Sequence, residues 1–171
     1  HLATTLIDVL KDASINYIKW DFNRYITEPF ALHLPAERQG EFHHRFVLGL
    51  YELYRRLVAA FPGILIESCA SGGGRFDPAL LAFAPQAWTS DDTDAIERLR
   101  IQWGTSLAYP VSSMGAHVAA VPNHQVGRVT PLSTRAAVAF FGAFGYELDP
   151  TRFTEAEKAE VREQIAWFKE R

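Results

Sequence analysis

One cysteine, Cys69, and one methionine, Met114, stand in a chain of 171 residues. A single thiol excludes an internal disulfide and any cysteine-rich zinc site, and it points to a reducing compartment, so a cytoplasmic location is expected. Neither sign of charge dominates: 17 Lys and Arg face 20 Asp and Glu, a formal net charge of −3. There is no basic run and no arginine-rich stripe, so nucleic acid is not an expected partner. The apolar runs fall far short of the roughly 20 residues that cross a bilayer, so no membrane partner is expected either. Internal repeats, low-complexity tracts and Pro/Gly/Ser linkers are also missing, and nothing divides the chain into two domains. It opens at His1 without an initiator methionine, signal peptide or lipidation signal, and is expected to be a piece of a longer polypeptide.

What is present is a composition that packs. Hydrophobic residues make up 48% and aromatics 13%, enough for a globular core. Leu2, Leu6, Val9 and Leu10 are spaced for one helical face, and Asn16 to Trp20 reads as a buried strand. A long amphipathic helix is predicted from about Ala36 to Ala60, with Phe42, Phe46, Leu50, Tyr54, Leu57 and Val58 inward and Phe61-Pro62-Gly63 as its stop. "ILIESC" is the next strand, followed by the loop "ASGGGR" and a short helical turn in "FDPALLAFAP". "QAWTS" reads as a strand emptying into "DDTD", which opens a helix carrying Ile96, Leu99 and Ile101. A short strand in "AYPVSSMGAHV", a long loop over 120–128, a helix from about Pro131 to Phe140 and a strand around "FGYEL" follow. Thr154 with Glu157 forms a capping box for a last helix, with Val161, Ile165 and Phe168 on one face.

This alternation predicts an α/β fold with a parallel sheet covered by helices. An open doubly wound sheet and the latter part of a (β/α)8 TIM barrel both satisfy it. A complete barrel takes about 250 residues, so this chain has room for about five of the eight units.

In either architecture ligands bind where the strands end, at their carboxyl edge. Three polar clusters sit there: "KWDFNR", "SCASGGGR" and "TSDDTD". Asp21 and Asp91 end alternate strands, which places two carboxylates across one mouth, the pairing that glycoside hydrolysis uses. Lys19 points the same way as Asp21 on a strand, and its ammonium would hold that carboxylate ionised. Crowding within "DDTD" would keep one acid protonated. Each cluster also has an ordinary structural explanation. Lys-x-Asp is a common surface ion pair, and a helix opening on "DDTD" takes Asp91, Asp92 or Asp94 as its cap.

Other residues also have plain structural roles open to them. "SGGGR" lacks the Gly-Lys-Ser/Thr ending and the GxGxxG spacing of phosphate loops, so its glycines serve close backbone approach or a tight turn. Cys69 has no histidine placed to activate it as a nucleophile. Adjacent His43 and His44 face different directions on their helix, so they make no metal set, and neither metal nor cofactor is expected. His117 and His124, beside the loop after the fourth strand, are candidates for substrate contact. Trp20 and Trp88, at strand ends, suit either sugar stacking or the core.

Five stretches, "YIKWDFNR", "ESCASGGGRFD", "WTSDDTDAIERLRIQWGTSLAYP", "MGAHVAAVPNHQVGR" and "FGYELD", together resemble the catalytic barrel of the α-galactosidases (melibiases) of glycoside hydrolase family 36. The likeness runs from about Tyr17 to Pro150. It implies Asp21 as the nucleophile that forms a covalent glycosyl-enzyme, and Asp91 as the acid/base. Lys19 then binds galactose ring hydroxyls, Asn23 lines the same pocket, and Cys69, Ser71 and Gly72 form the loop against the C2 side of the sugar. The implied reaction is hydrolysis of terminal α-galactosyl residues of melibiose or raffinose-type oligosaccharides with retention, the carboxyl groups about 5 to 5.5 Å apart or a little more. It also implies parts outside these 171 residues: a β-sandwich before the barrel, the first barrel strands with their galactose-recognising acids and tryptophans, and a small β domain after it. The whole of residues 1–171 is then a partial barrel domain, inactive alone, from a protein that assembles as a homo-oligomer, often a tetramer. Alternatives are α-N-acetylgalactosaminide hydrolysis or galactosyl transfer on the same fold, a metal-dependent hydrolase holding Mg²⁺ or Ca²⁺ on "DDTD", and a non-catalytic fragment.

Overall fold

Each apolar run becomes a parallel strand in the computed structural model, which describes residues 1–171. Helix α1 (Leu2–Lys11) leads into β1 (Tyr17–Asp21), and a 3₁₀ segment (Ala36–Glu41) runs into α2 (Phe42–Ala60). Next come β2 (Leu65–Cys69), a 3₁₀ turn (Leu80–Ala82), β3 (Gln86–Ala87) and α3 (Ala95–Ser106). The chain continues through β4 (Gly115–Ala119), α4 (Leu132–Ala139), β5 (Ala143–Glu147) and α5 (Glu155–Lys169).

β1 pairs with β2 from Tyr17↔Leu65 to Asp21↔Cys69, β2 with β3 through Glu67↔Gln86, and β4 with β5 from Gly115↔Ala143 to Ala119↔Glu147. A parallel bridge between Ala87 and Met114 links β3 to β4. The strands therefore lie side by side in chain order. Because side chains alternate along a strand, this register sorts residues onto two unlike faces. Ile66 packs outward with Tyr54, Leu80 and Ala84, joined by Trp20; Ala116 and Val118 pack outward against Leu132, Ala136 and Ala139 of α4. Burying the larger of these side chains, Ile66, Leu80, Val118 and Leu132, stabilises by about 1.5–3 kcal/mol each and fixes the register, since a slip of one residue would reverse the faces. The opposite face carries Lys19, Asp21, Glu67, Cys69 and Gln86.

Three sequence expectations change. β1 is not buried: its burial alternates exposed and intermediate, because it lies at the sheet edge with β2 as its one neighbour. The long helix starts at Phe42 rather than Ala36, where Gln39 turns its amide onto the Ala31 and Leu34 carbonyls and the Ala31 N–H, at 2.9, 2.6 and 3.0 Å. Helix α3 buries Ala95, Arg98 and Gln102, leaving Ile96 and Leu99 exposed. Arg98 and Gln102 win the inner face because four backbone carbonyls there need donors. Arg98 serves Ser90 and Gly115, and Gln102 serves Val138 and Phe141. The Thr154–Glu157 capping box forms as expected.

Candidate active site

Residues Asp21, Asn23, Cys69, Ser71 and Gly72 come together where β1 and β2 end, because Asp21 and Cys69 are register partners. Asn23 fastens this edge from both sides. Its amide donates to Asp21 Oδ2 at 3.0 Å, and its Oδ1 accepts the Ser71 N–H at 2.6 Å. Arg75, at the end of the glycine loop, donates to the carbonyls of Phe22 and Arg24 and so holds the segment after β1 down. Cys69 is buried, and burial pushes its thiol up to about 11, with the Gly72 backbone drawing it back and the nearby Asp21 charge adding to the rise. The thiol thus stays protonated at neutral pH, beside its register partner Asp21, which removes it as a nucleophile.

The glycines have a steric reason. A Cβ on Gly72 would lie 2.6 Å from Ser90 Cα and 3.0 Å from Asp91 N, and its φ of +75° is open to glycine at little cost. A Cβ on Gly73 would lie 2.9 Å from the Thr89 carbonyl oxygen. Backbone therefore stacks on backbone, and the loop from Cys69 touches Asp21 at one end and the Asp91 segment at the other.

"DDTD" divides its labour. Asp94 is the buried N-cap of α3, accepting from Ile96 N and Glu97 N at 3.1 Å each and from Arg128. Asp92 accepts from Asp94 N at 3.0 Å, and Thr93 is held by Asn123 and Gln125 from the loop after β4, each at 3.0 Å. Asp91 is the exposed member, and its carboxylate is left unengaged by any of these bonds.

Lys19 does not pair with Asp21. Its ammonium lies 3.6 Å from Glu67 Oε1 and 4.9 Å from the centre of the Trp88 ring. Sequence reasoning missed Glu67, although "ESC" repeats the two-residue spacing of "KWD" and so aims Glu67 and Cys69 to one side. Trp88 is buried, with Arg98 4.5 Å over its ring and His117 stacked at 4.7 Å. Trp20 packs edge-on against Tyr54 on the helix-covered face, so its role is core. His117 meets Glu147 at 3.2 Å, while His124 is exposed.

The arrangement offers one carboxylate held by an amide, one free carboxylate, and an ammonium on the face of the first: groups suited to nucleophilic and proton-transfer chemistry.

Against known proteins, the Melibiase family model matches residues 1–171. α-Galactosidase AgaA of Geobacillus stearothermophilus is 56% identical over 170 residues, covering 99% of this chain and 23% of that protein. α-Galactosidase 1 of Pediococcus pentosaceus is 53% identical over 165 residues, covering 96% of this chain and 22% of the relative. A crystal structure of a doubly substituted variant of AgaA in complex with raffinose superposes with a TM-score of 0.96 at 56% identity, covering 99% of this chain and 24% of that one. The chain spans less than a quarter of the length of these relatives.

Proposed function

Since this chain belongs to the melibiase family, we propose that it forms the nucleophile- and acid-bearing part of a (β/α)8 barrel in a retaining exo-α-galactosidase. The substrates are melibiose and raffinose-type oligosaccharides. One observation carries the reading: the loop after β2 is tied to Asp21 through Asn23, which bonds both Asp21 and Ser71, and packs Gly72 on the backbone of Ser90 and Asp91, so one turn spaces the two aspartates. Parallel strands in chain order, without the reversal of a doubly wound sheet, support the barrel. Raffinose bound to AgaA supports the substrate class.

In the proposed reaction Asp21 attacks the anomeric carbon while Asp91 protonates the departing glycosidic oxygen. A β-linked galactosyl–aspartate forms and the aglycone leaves. Asp91, now a carboxylate, takes a proton from water, whose oxygen displaces Asp21 and restores the α configuration. Asn23 orients Asp21 and shares its charge, and Lys19 has N–H groups to offer sugar hydroxyls. Against the "DDTD" metal reading stands Asp94, which is committed to the helix cap and Arg128.

The parent protein is proposed to be a cytoplasmic homo-tetramer whose β-sandwich, first barrel strands and terminal β domain lie outside this chain. The test is made in that parent. Asp21→Ala should lower turnover by at least about 10⁴-fold, with added azide yielding the β-galactosyl azide. Asp91→Ala should cost far less on an activated aryl galactoside than on melibiose, because such a leaving group needs no proton. Full activity of the Asp21 variant would overturn the assignment.

A further inference from the structure

Glu67 is a carboxylate with no exposed surface, on the central strand of the β1–β2–β3 sheet, and the mechanism above does not use it. Its two oxygens are treated differently. Oε2 accepts hydrogen bonds from the Tyr17 hydroxyl and the Gln86 amide, one from each neighbouring strand. Burial, then the hydrogen bond and charge of Glu67, raise the Tyr17 pKa, which keeps that hydroxyl a donor. Oε1 has no hydrogen-bond partner. It faces the Lys19 ammonium at 3.6 Å, across a register pair of β1 and β2, while the Lys19 side chain remains 35% exposed.

A buried carboxylate with an idle oxygen is costly unless a charge sits opposite it. Here the charge opposite is the lysine that reaches the face with Asp21. Fixed by two donors behind, Glu67 holds the ammonium over Trp88 and gives it a counter-ion other than Asp21. Without that counter-ion the nearest carboxylate on the same face is Asp21, two residues along β1, and an ion pair there would occupy the attacking oxygen. Tyr17 and Gln86 hold Glu67, Glu67 holds Lys19, and Lys19 is left free to meet the sugar.

We propose that Glu67 is the positioning residue for Lys19, keeping that ammonium aimed at substrate hydroxyls and away from Asp21. The inference rests on the galactosidase reading of the same site.

The experiment uses the full-length parent with an aryl α-galactoside and compares Glu67→Gln, Lys19→Met and the double variant. Glu67→Gln keeps the shape but places an amide donor or a neutral oxygen against the ammonium. kcat/KM should fall about tenfold or more, because the hydroxyl contacts of Lys19 are lost and its ion pair with Asp21 hinders attack. In the Lys19→Met background the same change should alter kcat/KM less than about twofold. An equal loss in both backgrounds would make Glu67 a core residue only and overturn the proposal. If Glu67→Gln does not fold, Glu67→Asp carries the same comparison, since it keeps the charge and draws it back from Lys19. A crystal structure of the folded variant supplies a readout that needs no activity: Lys19 Nζ should leave Trp88 and close on Asp21. An unmoved ammonium would overturn the inference. A parent inactive on every α-galactoside would remove the site reading, and that crystal structure would then decide the Glu67–Lys19 inference alone.

Discussion

Cys69 and Gly72 sit three residues apart and meet different aspartates, Cys69 as the register partner of Asp21 and Gly72 by leaving room for the backbone of Asp91. The thiol, pushed up to about 11 by burial and then by Asp21, should react with iodoacetamide at pH 8 roughly a thousandfold more slowly than a fully ionised thiolate. The rate should climb as pH approaches 11. Linkage has the same sign: the folded thiol holds its proton above the unfolded value, so its stabilisation is complete below about pH 9 and lost as pH rises through 11. Rapid alkylation of the folded parent at pH 8, read by mass spectrometry, would contradict this. Gly72→Ala tests the other end. A Cβ 2.6 Å from Ser90 Cα forces the Asp91 segment outward, and positive φ adds about 1–2 kcal/mol, so kcat/KM should fall at least about a hundredfold. Retained folding is checked by circular dichroism. Asp21, Asp91 and the glycine loop were legible because their motifs are contiguous. Glu67 was not, because its partners Tyr17, Lys19 and Gln86 lie on two other strands and only the register brings them together.

Helix α3 shows where hydrophobic periodicity misleads. Ile96, Leu99 and Ile101 marked this helix in the sequence, yet Arg98 and Gln102 occupy its inner face, because strand ends and helix ends leave carbonyls that only long donors reach. Helix start signals fared better. "DDTD" promised a cap, and geometry assigned it to Asp94, which frees Asp91. Arg98 joins the Asp91 segment to β4 through Ser90 and Gly115, at 3.0 and 2.8 Å, and burial pulls its guanidinium down to about 10, still charged at neutral pH. Arg98→Met keeps the length and apolar stem but strands both carbonyls. It should destabilise the parent by about 2–4 kcal/mol in urea unfolding and depress kcat with it, since Ser90 precedes Asp91. A change below about 0.5 kcal/mol would mean that water replaces the guanidinium.

The alternation of strands and helices, legible in the sequence, becomes parallel strands in chain order, and the outermost of them have open sides. β1 has no partner on the side away from β2, and β5 none away from β4. Tyr17 and Leu65, a register pair at the start of β1 and β2, are 43% and 40% exposed, and Leu32, in the loop after β1, is 94% exposed. On the proposed reading these surfaces meet the other barrel strands. Expressed alone, the 171 residues should therefore associate in a concentration-dependent way, because an unpaired strand edge beside apolar surface templates pairing with another copy. Sedimentation velocity measures this directly. Turnover of an aryl α-galactoside should be absent, since Asp21 and Asp91 would act on a sugar held from one side only, and orientation supplies much of the rate. Co-expression with the remaining segments of the parent should suppress association and restore turnover together, because one event, closure of the strands, produces both. A monodisperse 171-residue protein that hydrolyses α-galactosides unaided would show that the sheet completes its own pocket, and would refute the partial-barrel reading.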